Sequence, residues 1–171
     1  ICHSRMFPRF HEDKSIGNPK LMLIDSLGRK IDYLRVSVTD RCNLRCIYCM
    51  PDTPVIFKSR NEILSFEELE KLIKILVSLG IKKIKITGGE PLIRKGIIEF
   101  IKKIASLDGL TDISLTTNGI LLEEYAKDLK KAGLKRINIS LDTLNNEKFI
   151  KIAKGSNLSQ VLAGIDKVHK L

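Results

Sequence analysis

Ser65-Phe-Glu-Glu-Leu-Glu-Lys-Leu-Ile-Lys-Ile-Leu-Val-Ser-Leu-Gly80-Ile-Lys-Lys-Ile-Lys-Ile-Thr87 is the stretch that sets the fold class. Phe66 to Leu79 predicts a helix. Ser65 caps it, Glu68 three residues on completes a capping box, and Gly80 ends it. Lys83 to Thr87 then reads as a strand with Lys85 between Ile84 and Ile86. The same unit recurs outward in both directions. Tyr33 to Val38 is an earlier strand. Ile97 to Leu107 is a helix, Ile113 to Thr117 a strand, Leu122 to Ala132 a helix closed by Gly133, and Arg136 to Leu141 a strand. Asn146 to Ile152 reads as a short helix and Leu158 to Leu171 as a further one. Four alternations of strand and helix predict an α/β fold with a parallel sheet.

Each strand carries one apolar and one polar face. Arg35 and Ser37 stand opposite Leu34, Val36 and Val38. Ser114 and Thr116 oppose Ile113 and Leu115. Arg136, Asn138 and Ser140 oppose Ile137, Ile139 and Leu141. A parallel sheet covered on both sides reads as continuous apolar runs, and this one does not. Helices can cover the apolar faces, while the polar faces meet water or a ligand. A partial (βα) barrel with a wet lumen satisfies both demands, and Arg35 with Lys85 makes that lumen welcoming to anions. A half-exposed antiparallel sheet is the alternative, opposed by the intervening helices. A closed eight-fold barrel needs about 200 residues or more. The expectation is therefore the first four βα units of an incomplete TIM-like barrel, truncated from something longer, with residues 22–171 as its core.

Composition narrows the function classes. The 171 residues are 43% hydrophobic and 29% charged, which is globular rather than disordered. No run of about 18 uncharged apolar residues exists, so no membrane span is expected. Thirty Lys and Arg against 20 Asp and Glu give a net charge of +10. Most of that charge reads as solvated helix faces; the alternative is a polyanion, either nucleic acid or a nucleotide polyphosphate. No aromatic strand platform or acid-free basic helix is present, so no nucleic-acid partner is expected. Residues 1–21 carry scattered charge and no period, and read as a disordered leader without a secretory signal. Cys2 and His3 in it read as bystanders.

The chemistry concentrates in Asp40-Arg-Cys42-Asn-Leu-Arg-Cys46-Ile-Tyr-Cys49-Met-Pro51. This segment follows the first barrel strand, at the mouth where parallel barrels place their sites. Cys42, Cys46 and Cys49 can bind three irons of a [4Fe–4S] cube and leave the fourth open. Zinc is the alternative, but it wants a fourth ligand, and no Cys or His follows Cys49 until His169.

Cys-x3-Cys-x-aromatic-Cys after a first strand resembles the signature of radical S-adenosylmethionine (SAM) enzymes. Gly88-Gly89-Glu90-Pro91 after the second strand resembles the SAM-binding motif of that family. Leu23 to Arg29, Leu34 to Cys42, Tyr48 to Pro51, Ile86 to Leu92, Leu115 to Gly119 and Ile139 to Asp142 follow in an order and spacing similar to the GTP 3′,8-cyclase family of molybdenum cofactor biosynthesis. The resemblance runs from about Met22 to Leu171. It implies that Cys42, Cys46 and Cys49 hold the cluster, and that Tyr48, Gly88, Gly89, Glu90 and Ser140 bind SAM. It also implies that Arg35, Lys85 and Thr116 bind GTP. The implied reaction is abstraction of the ribose 3′ hydrogen by a 5′-deoxyadenosyl radical, followed by ring closure to 3′,8-cyclo-7,8-dihydro-GTP. An electron donor such as flavodoxin or ferredoxin, a homodimer, and a cytoplasmic or (in eukaryotes) mitochondrial setting are implied with it.

Two departures stand out. Position 85 is Lys where many family members carry Arg, so the bidentate fork is lost. The family's second cysteine triad, with its second [4Fe–4S] cluster, has no counterpart here. The expectation is that this chain alone binds the first cluster without completing the cyclisation. A peptide-modifying radical SAM maturase and a non-catalytic iron–sulfur nucleotide-binding fragment are the rival readings.

Overall fold

The computed structural model describes residues 9–13, 20–50, 55–155 and 157–171. Cys2, His3 and Pro51 lie outside them. The element order is β1 (Arg9–Asp13), β2 (Lys20–Ile24), β3 (Tyr33–Ser37), α1 (Phe66–Ser78), β4 (Lys83–Thr87), α2 (Ile97–Ala105), β5 (Asp112–Thr117), α3 (Leu122–Lys131), β6 (Arg136–Ile139), α4 (Asn146–Ala153) and α5 (Leu158–His169). Strands β3, β4, β5 and β6 lie side by side in that order, every pair parallel. Among the described residues no helix is long and apolar enough to cross a membrane.

The sequence reading places no strand before Tyr33. The structure pairs β1 with β2 antiparallel, Arg9 opposite Ile24, so part of the segment read as a disordered leader is paired. Five-residue strands of mixed character show no period, because backbone hydrogen bonds close the ladder whatever the side chains.

Why the helices stop and start where they do follows from their ends. Ser65 Oγ accepts from Glu68 N at 3.2 Å, and Glu68 Oε2 accepts from Ser65 N at 2.7 Å, the reciprocal bonds of a capping box. At the other end Gly80 takes φ 102°, and the 77–81 turn closes through Gly80 N to Val77 O and Ile81 N to Leu76 O. The apolar strand faces meet these helices. Val36, Ile84, Ile86, Ile113 and Leu115 pack with Leu69, Ile73 and Val77 of α1, and with Ile97, Phe100, Ile101 and Ile104 of α2. The polar faces stay open: Arg35 and Ser37 are exposed, and Lys85 and Thr116 half-buried. Ser114 is the exception, buried with its hydroxyl 3.4 Å from Ile84 O.

Candidate functional site

The loop after β3 continues its ladder for one residue, Val38 N donating to Thr87 O. It then runs alongside the loop after β4. Gly89 N donates to Thr39 O at 2.6 Å and Glu90 N to Arg41 O at 2.8 Å. This approach explains both glycines. A Cβ on Gly89 would sit 2.1 Å from Arg41 O, and one on Gly88 would sit 2.8 Å from Thr39 O. The pair is thus required for backbone-to-backbone packing against the cysteine loop. The resemblance implies SAM binding for both glycines and says nothing of this packing.

Farther along, the loop is fastened to α4 and to the β6 side. Arg45 N donates to Ala153 O and Ile47 N to Ile152 O, at the C-terminal end of α4. Leu44 buries itself with Phe149, Ala153, Leu158 and Val161, and Cys42 and Cys46 pack against that cluster. Arg45 folds back to donate to Cys42 O at 2.6 Å and Leu44 O at 2.9 Å. The Arg41 and Arg45 guanidiniums both lie over the Phe57 ring, 5.9 and 5.7 Å from its centroid. Tyr48 is 65% exposed, and its hydroxyl donates to Asp142 Oδ2 at 2.9 Å. Ser140 follows β6, exposed on the same end of the sheet, with its N–H on Thr117 O.

Glu90 is 1% exposed. Its Oε1 accepts from Leu92 N at 3.0 Å and Thr117 Oγ1 at 2.8 Å, and its Oε2 from Asn118 N at 2.7 Å. Both oxygens are engaged by the protein, so Glu90 clasps the loop after β4 to the loop after β5. Burial pushes its carboxyl above the usual carboxylate range, opposed by those three donors. Asn118 and Arg45 carry contacts that sequence reasoning missed. The signal for Asn118 was its place one residue past β5, at the same mouth as the cysteines.

The polar row is real and in register. Arg35 pairs with Lys85, Lys85 with Ser114, and Ser114 with Arg136. Thr116 lies one step nearer the mouth, opposite Asn138. Arg35 is exposed, as expected of the polar face that carries it. Arg136 is held by Asp112. A cavity of about 530 Å³ lies beside the start of the cysteine loop, lined by Thr39, Arg41, Ser65, Arg94 and Lys95 among others; no cysteine lines it.

The donor set fits an iron–sulfur cluster better than a single ion. The three cysteines are free thiols on one loop. Among the described residues no three His, Cys, Asp or Glu side chains gather tightly enough to hold one metal ion. A cube takes each thiolate on a different iron, so its ligands need not converge on a point. Burial pushes the Cys46 thiol up, and the neighbouring Cys42 and Cys49 thiols add to the push. A cationic core between the thiolates relieves that repulsion.

Residues 36–171 match the model of the Radical SAM superfamily. The GTP 3′,8-cyclase of Peptoclostridium acidaminophilum is 54% identical over 152 residues, 89% of this chain and 47% of that protein. The GTP 3′,8-cyclase of Alkaliphilus oremlandii is 53% identical over 147 residues, 86% of this chain and 46% of that protein. The chain thus spans about half the length of the curated relatives it matches. Among solved structures, anSMEcpe with bound S-adenosylmethionine superposes with a TM-score of 0.64 at 26% identity, covering 81% of this chain and 40% of that one. SuiB bound to its precursor peptide gives 0.64 at 19% identity, covering 81% and 30%; at that identity it speaks for the fold alone.

Proposed function

The chain belongs to the radical SAM superfamily, and from that premise we propose that it serves a GTP 3′,8-cyclase, with GTP as substrate and 3′,8-cyclo-7,8-dihydro-GTP as product. The observation that carries this reading is the pairing of two features on one sheet, one at its C-terminal end and one across its middle. The cysteine loop is clasped to Gly88-Gly89-Glu90, and a cationic row, Arg35 beside Lys85, crosses the polar strand faces. Identity of 53–54% to cyclases over most of the chain supports the same substrate.

Cys42, Cys46 and Cys49 would hold a [4Fe–4S] cluster, which with SAM supplies one-electron cleavage chemistry when bound. The protein's part is to bind and orient. Tyr48, Gly88, Gly89 and Ser140 border the cysteine loop or share its end of the sheet, where a SAM molecule reaching the cluster must lie. Arg35 and Lys85 offer positive charge to phosphate oxygens from an open face, Lys85 as a point charge without a fork. Thr116 presents a hydroxyl nearer the mouth. Glu90 holds the frame, both its oxygens accepting from protein donors. A reducing partner of the flavodoxin or ferredoxin kind would deliver the electron.

The test is anaerobic reconstitution with iron and sulfide, then incubation with SAM, dithionite and GTP deuterated at C3′. Deuterium appearing in 5′-deoxyadenosine supports the reading. Release of 5′-deoxyadenosine with no deuterium, unaffected by GTP, overturns GTP as the hydrogen donor.

A further inference from the structure

The three thiols do not have equal surroundings. Cys42 Sγ accepts from Leu44 N at 3.3 Å and lies 3.7 Å from Asn118 Nδ2. The Asn118 amide has one allowed orientation. Its Oδ1 accepts from Ile120 N at 3.1 Å, and its Nδ2 donates to Asn43 Oδ1 at 2.8 Å. Turning the amide over would set two oxygens together at Asn43 and two donors together at Ile120. Its own backbone N–H is anchored on the buried Glu90 carboxylate at 2.7 Å. Thr117 tightens the same turn, donating to Glu90 Oε1 and accepting from Gly119 N at 3.1 Å. A continuous path therefore runs from a buried carboxylate after β4, through the turn after β5, to one cysteine sulfur.

We propose that Asn118 is a positioning residue that sets the charge on the Cys42 sulfur, and thereby the reduction potential of the cluster, with Glu90 acting through it. The proposal rests on the cluster reading above. An N–H donor aimed at a ligand sulfur draws charge from it, which favours the reduced cluster. Removing the donor lowers the potential. Putting negative charge in its place lowers it further.

Asn118→Asp is the sharpest probe. It keeps the Oδ1 that Ile120 N needs and replaces only the end that faces Cys42 and Asn43. The chain is reconstituted anaerobically, iron and sulfide are counted, and the potential is read by redox titration followed by electron paramagnetic resonance. The expected result is iron content equal to the parent with a lower potential, and a smaller shift of the same sign in Asn118→Ala. In the Asn118→Ala background, Glu90→Gln adds no further shift, as a residue acting through Asn118 requires. An unchanged potential in Asn118→Asp at full iron content overturns the proposal, as does a Glu90→Gln shift that persists without Asn118. If Asn118→Asp takes up no iron, Asn118→Ala decides: a lower potential supports the proposal and an unchanged one overturns it. A parent chain that takes up no iron overturns the cluster reading itself, and this inference with it.

Discussion

The two ends of the four-stranded sheet are held by different physics. At the C-terminal end, three loops meet through main-chain bonds, a buried carboxylate and two glycines with no room for a side chain. At the N-terminal end, exposed basic side chains reach half-buried acids or a carbonyl: Lys83 with Asp32 at 3.5 Å, Arg136 with Asp112, and Lys135 Nζ on Thr111 O at 3.2 Å. Exposed pairs hold long side chains loosely and contribute little. Main-chain contacts at van der Waals limits fix atoms within a few tenths of an ångström. Positional precision is concentrated at the end that carries the cysteines, and the opposite end is left tolerant.

Gly89→Ala strikes that difference hardest. Its Cβ collides with backbone, which cannot rotate away, so the cost reaches about 3 kcal/mol, the upper range for overpacking. Chemical denaturation should show that loss, and reconstitution should show iron uptake reduced along with it. A Gly89→Ala chain with parental stability would mean the loops separate easily, and the contrast between the ends would fail. Glu90→Ala comes next. It leaves three donors without their acceptor, a loss of about 2–3 kcal/mol on the cost of unsatisfied buried groups. Glu90→Gln adds a pH signature. A carboxyl whose folded pKa is raised binds more protons folded than unfolded between the two values. Its contribution to stability therefore falls as pH rises from the unfolded value near 4.5 through the folded one. Denaturation midpoints from pH 4 to 7 should show the parent losing ground to Glu90→Gln as pH rises; parallel curves would mean the carboxyl is not raised.

Much of this contrast was legible in the sequence, for reasons that differ by element. Ile84-Lys-Ile86 and Leu115 to Thr117 announce alternating faces because a strand's side-chain period is fixed at two. Ser65 and Glu68 announce a helix start because few other residues can close both bonds. Cys42, Cys46 and Cys49 announce a soft-metal site because their spacing and thiol chemistry travel together. The work of Gly89 was not legible, since what it must avoid is the carbonyl of Arg41, 48 positions earlier. Nor was the role of Asn118, whose partners Glu90 and Asn43 come from two other loops. Arg35 shows the reverse case: alternation alone places it on the polar face, and that face is the open one.

The smaller effects test how far the precision of the cysteine end extends and whether the tolerance of the N-terminal end is real. Ser65→Ala, at the start of the helix that leads away from the cysteine end, removes one half of a capping box and should cost about 1 kcal/mol. Iron uptake should be unchanged, because Ser65 holds α1 and not the cysteine loop. Arg136→Ala should cost less still. Its guanidinium is solvent-exposed, and removing it uncovers the half-buried Asp112 to water, so the charge left behind is not stranded. The melting temperature should barely move, and the small change should shrink further in high salt, where exposed pairs are screened. Iron uptake and cluster potential should match the parent. If Arg136→Ala instead lowered iron uptake as Gly89→Ala does, strain would be travelling the length of β6 from Arg136 to Ser140 and Asp142. The two ends would then be one mechanical unit, and the polar row would be a structural strut instead of a surface left free for an anion.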